Sequence, residues 1–537
     1  MPNEDITAQI MRRKRSLEQL RSPHEQVWRD CFDYSFPERG EGFYGEKSDA
    51  STLQAKRARL MDSTSTDSGQ ILAAAIMSGG TPSNSRWFGL STGQDTDEEK
   101  RWFDECAETI FQNIHGSNYD AVGFEACTDM IPAGWFVLFI DVDREQGGYH
   151  FDLWPLASCY IAASKAGGLP DTLIRNYALT AEQAINDFGA DNVTEKVRKL
   201  VADGKLDEKV KFCQSIYPRS AESSGVRAKN LAFASCHVEV DSKHLVRESG
   251  FNECPFVAPR WAKLPDSDYA IGPMFRALPD VKQLNRLVYM EDTNLDMAIS
   301  GMWIAEDDGV LNPRTVKVGP RKIIVANSVD SMKSLQSGAK FDLSFTKKDQ
   351  LQAAIRKTLM ADQLAPQDGP VRTATEVHVR VQMIRQLLGP IYGRLQAEWY
   401  QPMINRCFGL ALRAPGVLPE PPQSLAGRSY HVVFVSPMAK AQKMEEVNAV
   451  ETSLAAVGQL AEAMQDPTVW DTIDVEESVT IILEGRGAPS RVGRSKEDIQ
   501  AIRDNRAKAQ QQAQQQQQQA EMAQKVAPQM AKNMAPA

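Results

Sequence analysis

His237 and His244, with Cys236 and Cys254 close by, form the densest group of metal-capable side chains in the sequence. Zinc asks for ligand spacings that let four such groups converge, and these spacings match no common pattern, so ordinary packing in a β-rich segment competes with a metal site. The other histidines, His24, His115, His150, His378 and His431, lie far apart. Asp141 and Asp143 alternate along one strand edge, where they either hold a cation or end a solvated hairpin. Gly79 to Ser85 is small enough for backbone N–H groups to converge on an anion, or for a helix to turn into a strand. The run Arg12-Arg13-Lys14-Arg15 reads as a solvated helix face or as a nucleic-acid contact. No GxxxxGK[ST] loop and no HExxH pair occurs, which removes the usual carriers of nucleotide-driven motor work and metalloprotease chemistry. The expectation is a non-enzyme with no catalytic residue, no metal and no cofactor.

Composition bounds the rest. A chain of 537 residues, 42% hydrophobic and 24% charged with nine Trp, is globular. At roughly 100 to 200 residues per domain it is too long for a single unit. The net charge of −9 argues against a protein that grips DNA broadly, because phosphate neutralisation by Lys and Arg supplies most non-specific affinity. A conduit through which DNA slides is compatible with that charge, and so is an acidic enzyme. Eight cysteines without a CxxC pair read as free buried thiols of a reducing compartment. The start Met-Pro-Asn-Glu-Asp has no apolar core of a signal peptide. The longest apolar run, Met130 to Ile140, falls well short of the roughly 20 residues of a membrane span. A soluble intracellular product without a membrane partner is expected.

The positioning elements follow from periodicity. Ile6, Ile10, Leu17, Leu20, Val27 and Phe32 mark an amphipathic helix that Pro23 should break. Arg57 to Met77 reads as a helix, stopped by the turn-rich Ser78 to Ser85 ahead of a short strand, Arg86 to Leu90. Thr96 with Glu99, and Thr180 with Gln183, have capping-box spacing; the second should open one helix through Ile185, Phe188, Val193, Val197 and Leu200 to Gly204. Trp135 to Val142 and Tyr149 to Trp154 make a β-hairpin across the polar turn Asp143 to Gly148. Val210 to Ile216, Cys236 to Val240 and Pro255 to Trp261 are short strands of a small protruding β-rich unit. Gly272-Pro273 opens a long helix with Leu278, Val281, Leu284, Val288, Leu295 and Ile299 at helical spacing. Met302 to Phe345 returns to strand-like alternation. Thr346 with Asp349, and Thr373 with Glu376, cap two further helices, the second bent at Gly389-Pro390. His431 to Val435 is a strand, Lys440 to Gln465 is helical, and from about Lys496 the chain is a Gln-rich tract of low complexity.

Two segments carry candidate contacts. Lys209 to Lys263 holds nine Lys or Arg against five Asp or Glu, so Lys209, Lys211, Arg219, Arg227, Lys229, Lys243 and Arg247 offer docking to an acidic partner or to passing DNA. Gln363 to Arg372 has ten residues with two Pro and one Gly between two capped helices, longer than the usual connection of about two to eight. It either projects Gln363, Leu364, Gln367, Asp368, Gly369 and Arg372 into a cavity or is a plain surface connection.

The order of these elements, with the strings Leu72-Ala-Ala-Ala-Ile-Met-Ser-Gly-Gly-Thr-Pro-Ser-Asn-Ser-Arg-Trp-Phe-Gly-Leu90 and Arg372-Thr-Ala-Thr-Glu-Val377 and the Gln-rich end, resembles the podovirus-type bacteriophage head-to-tail connector (portal) family over Ile10 to Arg503. The first string departs from the commoner wording at Gly80 and Asn84. The resemblance implies an α+β, mainly helical subunit of a ring, typically a dodecamer, with long stem helices, an α/β wing and a small β-rich clip. On that map residues 1–179 are the N-terminal wing, 180–208 the first stem helix, 209–262 the clip and 263–300 the second stem helix. Residues 301–362 return to the wing, 363–372 are the channel loop, 373–435 a wing helix and strand, 436–495 the crown and 496–537 the tail. The implied function is the channel at one capsid vertex of a short-tailed phage, through which double-stranded DNA is packaged and ejected without sequence preference. The implied partners are the terminase large subunit, then tail or adaptor proteins, with major capsid and scaffolding proteins around the ring. The implied location is the virion, after assembly in the host cytoplasm.

A structural scaffold or tail adaptor without a channel, and an acidic enzyme without a recognised motif, are the rival readings; a ring seen in negative stain separates them. Deleting Gln367 to Gly369 is expected to leave assembly intact and to disturb DNA retention or translocation. Normal retention in packaged particles counts against a valve role for the loop.

Overall fold

The structure, a computed structural model, describes residues 3–40, 50–93, 96–143, 145, 147–219, 230–300, 302–305, 332–335, 341–364, 389–425, 431–434, 437–464, 473–485, 499–506 and 508–511. In chain order the elements begin α1 (Asn3–Asp33), α2 (Ala50–Arg57), α3 (Thr64–Gly80), β1 (Phe88–Ser91), α4 (Asp97–His115) and α5 (Tyr119–Ala133). A hairpin β2 (Val137–Val142) and β3 (Tyr149–Trp154) leads to β4 (Cys159–Ala162), β5 (Thr172–Thr180), α6 (Ala181–Phe188) and α7 (Glu195–Ala202). Then come β6 (Lys209–Pro218), β7 (Phe233–Glu239), β8 (His244–Phe251), β9 (Phe256–Val257), β10 (Ala262–Lys263) and β11 (Ala270–Ile271). The long α8 (Pro273–Ser300), β12 (Met302–Ala305), β13 (Met332–Leu335), α9 (Phe341–Thr358), α10 (Ala361–Leu364), α11 (Gln401–Arg413), β14 (His431–Phe434), α12 (Pro437–Met464) and α13 (Val475–Gly485) complete the set. The fold is mainly helical with antiparallel sheets, and two compact units divide it: residues 1–86 with 110–417, and residues 87–109 with 418–537.

In the first unit a five-stranded antiparallel sheet, β4-β5-β6-β7-β8, is covered on both faces. Strand alternation sends Ile174, Cys213, Cys236 and Val238 toward Ile10 and Leu17 of α1, while Val210, Phe212 and Val246 pack with Ala184, Phe188 and Val197 of α6 and α7. Arg21 of α1 is buried against the sheet edge, its Nη1 donating to the carbonyls of Ala157 and Cys159, both at 2.8 Å. A guanidinium can be buried there only because fixed acceptors replace its water. Pro23 does not break α1. It lies on the exposed face, where a freed carbonyl meets solvent, and buried Leu17 and Trp28 hold the helix on either side.

The expected single helix over residues 180–204 is two helices of eight residues each. The Thr180–Gln183 capping box does open α6, but Gly189 (φ +86°) and the Asn192 side chain, which donates to the Phe188 carbonyl at 2.8 Å, close it. The Thr96–Glu99 box opens α4 as expected. Thr346 does not open a helix but lies inside one, since α9 already begins at Phe341. The predicted helix over residues 57–77 starts later, as α3, and extends to Gly80.

α8 is aimed by a backbone contact. α5 ends at Gly134 (φ +82°), whose N–H donates to the Met130 carbonyl at 2.8 Å. A methyl group on Gly134 would overlap the backbone of Ile271 and Gly272, and one on Gly272 would overlap the Ile131 carbonyl oxygen. Only hydrogen at both positions lets the end of α5 meet the start of α8. α8 then packs along Met274, Ala277, Leu278, Val281, Leu284 and Val288, all buried.

In the second unit β1 pairs antiparallel with β14, from Phe88 opposite Phe434 to Ser91 opposite His431. Buried Trp87 and Phe88 meet edge to face at 4.8 Å, and Trp102 Nε1 donates to the Pro419 carbonyl at 3.0 Å. α12 packs on α13.

Gly272→Ala should destabilise the protein by about 2 to 4 kcal/mol or prevent folding, since the obstruction is backbone and cannot rotate away. Gly393→Ala, with open space around the added carbon, should be neutral or stabilising by about 0.5 to 1 kcal/mol. Thermal denaturation of the two variants checks the contrast.

Candidate functional site

The candidate docking residues of the 209–262 segment fall on the covered sheet. Lys209 and Lys211 lie on β6, Arg247 on β8 and Lys243 in the turn between β7 and β8, and all four are exposed. Lys243 adopts φ +53°. Arg219 is instead tied in place, donating to the Leu231 carbonyl at 3.0 Å and to Glu248 and the Ser249 carbonyl at 3.3 Å. Arg227 and Lys229 lie outside the described residues, as do residues 365–372 of the proposed channel loop; Gln363 and Leu364 form the end of α10. Exposed Asp207, Glu208 and Asp241 flank the exposed lysines, so the positive balance seen in sequence is partly offset in space.

The remaining sequence candidates are accounted for by packing. Cys236 and His237 are neighbours on β7 and therefore face opposite sides: Cys236 enters the core under α1, and His237 meets Phe188 at 5.4 Å on the α6 side. His244 Nε2 lies 3.1 Å from the Asn192 carbonyl oxygen. These groups do not converge, and among the described residues no cluster could hold a metal ion. Asp141 lies 3.7 Å from Arg406, which also donates to Glu253 at 3.1 Å, and Asp143 accepts the Glu145 N–H at 2.8 Å to close the hairpin turn. Burial acts to raise the Glu253 pKa, but the hydrogen bond and charge of Arg413, with those of Arg406, outweigh it and hold the carboxyl below its usual value. Gly79 and Gly80 make room for the hydroxyl ends of Tyr392 and Tyr400. Of the basic run in α1, Arg12, Arg13 and Arg15 are exposed, and Lys14 pairs with Glu18 at 3.7 Å. All eight cysteines are free and all but Cys254 are buried.

Two letter patterns in the sequence also fail on context. Gly89-Leu90-Ser91-Thr92-Gly93 has the spelling of a nucleophile elbow, but Ser91 ends a strand five residues before the next helix and its Oγ accepts the Gly93 N–H at 2.9 Å. Gly40-Glu41-Gly42-Phe43-Tyr44-Gly45 spells a dinucleotide fingerprint, yet it follows helix α1 and its turn, not a strand.

A long helical pair offers another exposed surface. α8 packs against α9, and β12 pairs antiparallel with β13, so the chain leaves α8 and enters α9 at the same end and the helices run in opposite directions. Glu291 of α8 accepts from Ser344 and lies 3.7 Å from Lys348 of α9. The base of the pair is pinned by Asn285, which donates to the Arg59 carbonyl and accepts the Met61 N–H, and by Gln352, which donates to Asp62 at 2.8 Å. Farther along, Tyr289, Leu295 and Phe345 stand 58%, 51% and 57% exposed, beside exposed Met290. These side chains are exposed apolar surface on the helical pair, available to a protein partner. In sequence Leu295 shares the helical spacing of the core seam, whereas Tyr289, Met290 and Phe345 fall off it. Their positions off that seam were the available signal.

Compared with known proteins, residues 7–492 match the family model described as bacteriophage head to tail connecting protein. The chain is 28% identical over 522 residues to the portal protein of Salmonella phage epsilon15, covering 94% of this chain and 91% of that one. It is 27% identical over 516 residues to the probable portal protein of Bordetella phage BPP-1, covering 92% and 90%. Similarity to the portal protein of Escherichia phage T7 is 22% over 378 residues, covering 67% and 65%.

Within the sheet, burial lowers the pKa of His237 to about 4, aided by Arg247 and Arg175, so the imidazole folds neutral. Its stabilising contribution is complete above the unfolded value near 6.5 and is lost as pH falls through about 4, a loss on the order of 3 kcal/mol. Urea unfolding between pH 7 and 4 should show that slope, and His237→Gln should flatten it.

Proposed function

The chain belongs to the bacteriophage head-to-tail connecting family, and we propose that it is a portal subunit, copies of which close into a ring around a channel for double-stranded DNA. The observation that carries this reading is the match over residues 7–492, together with portal relatives aligned over nine-tenths of both chains. The reading needs no catalytic residue. Packaging and ejection demand a rigid, weakly interacting conduit, and the net charge of −9 suits a wall that does not trap phosphates.

A ring of identical subunits needs two different complementary faces related by rotation. The stem is better assigned to α8 and α9 than to residues 180–204, because helices of 28 and 18 residues reach where two of eight do not. At about 1.5 Å per residue α8 spans about 40 Å. The clip then falls to the segment that carries β12 and β13 between them. Residues 209–262, with their sheet buried between helices, join the wing. Lys209, Lys211, Lys243 and Arg247 remain exposed cations available to acidic capsid, scaffolding or terminase surfaces. The finer features are part of the same proposal: twelve subunits, a short-tailed virion, a channel loop at 363–372, terminase docking followed by tail or adaptor proteins, and assembly in the host cytoplasm before residence at the capsid vertex.

Tyr289, Leu295 and Phe345 supply apolar contact to the neighbouring copy in this reading. Leu295→Asp should leave the monomer folded, because the side chain is half exposed, while shifting native mass from ring to monomer and abolishing packaging on complementation. A variant that forms rings in full yield rejects the assigned interface, and wild-type protein that never forms rings rejects the portal reading itself.

A further inference from the structure

The helical stretch that ends in α11 is described from residue 389 onward and contains one wide turn. Residues Gln396–Tyr400 are π-helical, and the Gln401 N–H donates to the Gln396 carbonyl, five residues back. A turn of this kind holds one residue more than an α-turn and is rare unless something outside the helix retains it. Here the outside agent is visible. Glu398, in the middle of the turn, accepts from Arg260 Nε at 2.8 Å, from Arg260 Nη2 at 3.1 Å and from the Arg260 backbone N–H at 3.0 Å. The Arg260 side chain is 2% exposed and that of Glu398 9%. Arg260 is itself fixed: it bridges Trp135 through the backbone, and the next residue, Trp261, donates its N–H to the Gly134 carbonyl at 2.7 Å. Its Nη1 has no partner among the described residues, so the guanidinium's fork is turned to the carboxylate at the expense of one donor.

The two sides of the wide turn are held differently. After it, Trp399 packs on Phe136 at 4.9 Å, Met403 and Cys407 are buried, and Arg406 is paired with Glu253. Before it, Leu395 is buried and the Tyr392 hydroxyl donates to the Ala75 carbonyl at 3.1 Å, but Gly389 and Gly393 face open space.

The geometry points to Arg260 as a register pin: its pairing with Glu398 holds the helix one residue out of α-register and thereby sets where residues 389–395 lie. Without the pin, closing the turn to i→i+4 bonds moves each preceding residue back by one position, about 1.5 Å along the axis and about 100° around it. Gln396 then takes the place of Leu395, and Gly393 that of Tyr392. The burial of Leu395 and the Tyr392 hydrogen bond favour the present register, the backbone favours the other, and the ion pair decides between them. Unpinned, residues 389–395 exchange between two registers. Each exchange rotates residues 389–395, so this single buried pair controls which of their side chains face the protein. This conclusion does not depend on the portal assignment.

Two variants of the full-length protein test it. Glu398→Gln keeps the volume and removes the charge; the double variant Arg260→Met with Glu398→Leu removes both charges without leaving either buried alone. Hydrogen exchange read by mass spectrometry on peptides covering residues 389–401 and 403–413 is the first measurement. The pin requires exchange in the first peptide to rise about tenfold or more in both variants, with the second unchanged. The second measurement is a density map of the double variant, in which the Tyr392 hydroxyl should have left the Ala75 carbonyl and residues 396–400 should be α-helical. Equal exchange in the two peptides, or a π-turn that persists with Tyr392 in place, overturns the proposal.

Discussion

The fold of the larger unit depends on an approach of backbone to backbone that no side chain could share. Where α5 ends and α8 begins, Gly134 and Gly272 let the carbonyls of Met130 and Ile131 lie against the first turn of the long helix. Everything distal inherits its direction from this contact, including the seam from Met274 to Val288, the antiparallel α9, and the apolar residues displayed beyond the pinned base. A hydrophobic seam alone would tolerate sliding by a turn. Two glycines in van der Waals contact with backbone do not.

The parts of this architecture legible in the sequence were those with local physical signatures. The Thr96–Glu99 and Thr180–Gln183 boxes, the hairpin of β2 and β3, the start of α8 at Pro273 and the strand at His431 each follow from residues within a few positions of one another. What failed had non-local causes. Pro23 was read as a breaker because nothing in the sequence announces that it faces water while Leu17 and Trp28 are held by distant partners. Residues 180–204 were read as one helix because the apolar spacing continues across Gly189, and only the sheet beneath shows that two short helices suffice to cover one face. Strands β5 and β8 were missed, since Arg175, Asn176 and Arg247 interrupt the apolar alternation that betrays a strand. Of the candidate contacts, the exposure of Lys209, Lys211, Lys243 and Arg247 follows from their charge. The capture of Arg219 by Glu248 needed a partner 29 residues away.

Charge counting misleads in this chain for a specific reason. Arg21, Arg260 and Arg406 are buried, and Arg39 is half-buried beside Asp129 with its Nη2 donating to Oδ2 at 3.1 Å. Burial still pushes the Asp129 pKa up, against the hydrogen bond and charge of Arg39. These cations hold carbonyls and carboxylates inside the molecule and are unavailable to a phosphate backbone. The surface accordingly offers fewer free cations than a count of Lys and Arg implies.

Tyr392 and Tyr400 each seat a phenol end on one of two consecutive glycines of α3. Consecutive residues of a helix project about 100° apart, so the two rings grip α3 as the jaws of a calliper grip a rod. The rod cannot roll without lifting one jaw. A turn imposed on α3 at this point is therefore passed to both tyrosines together, and through them to the helix that carries them.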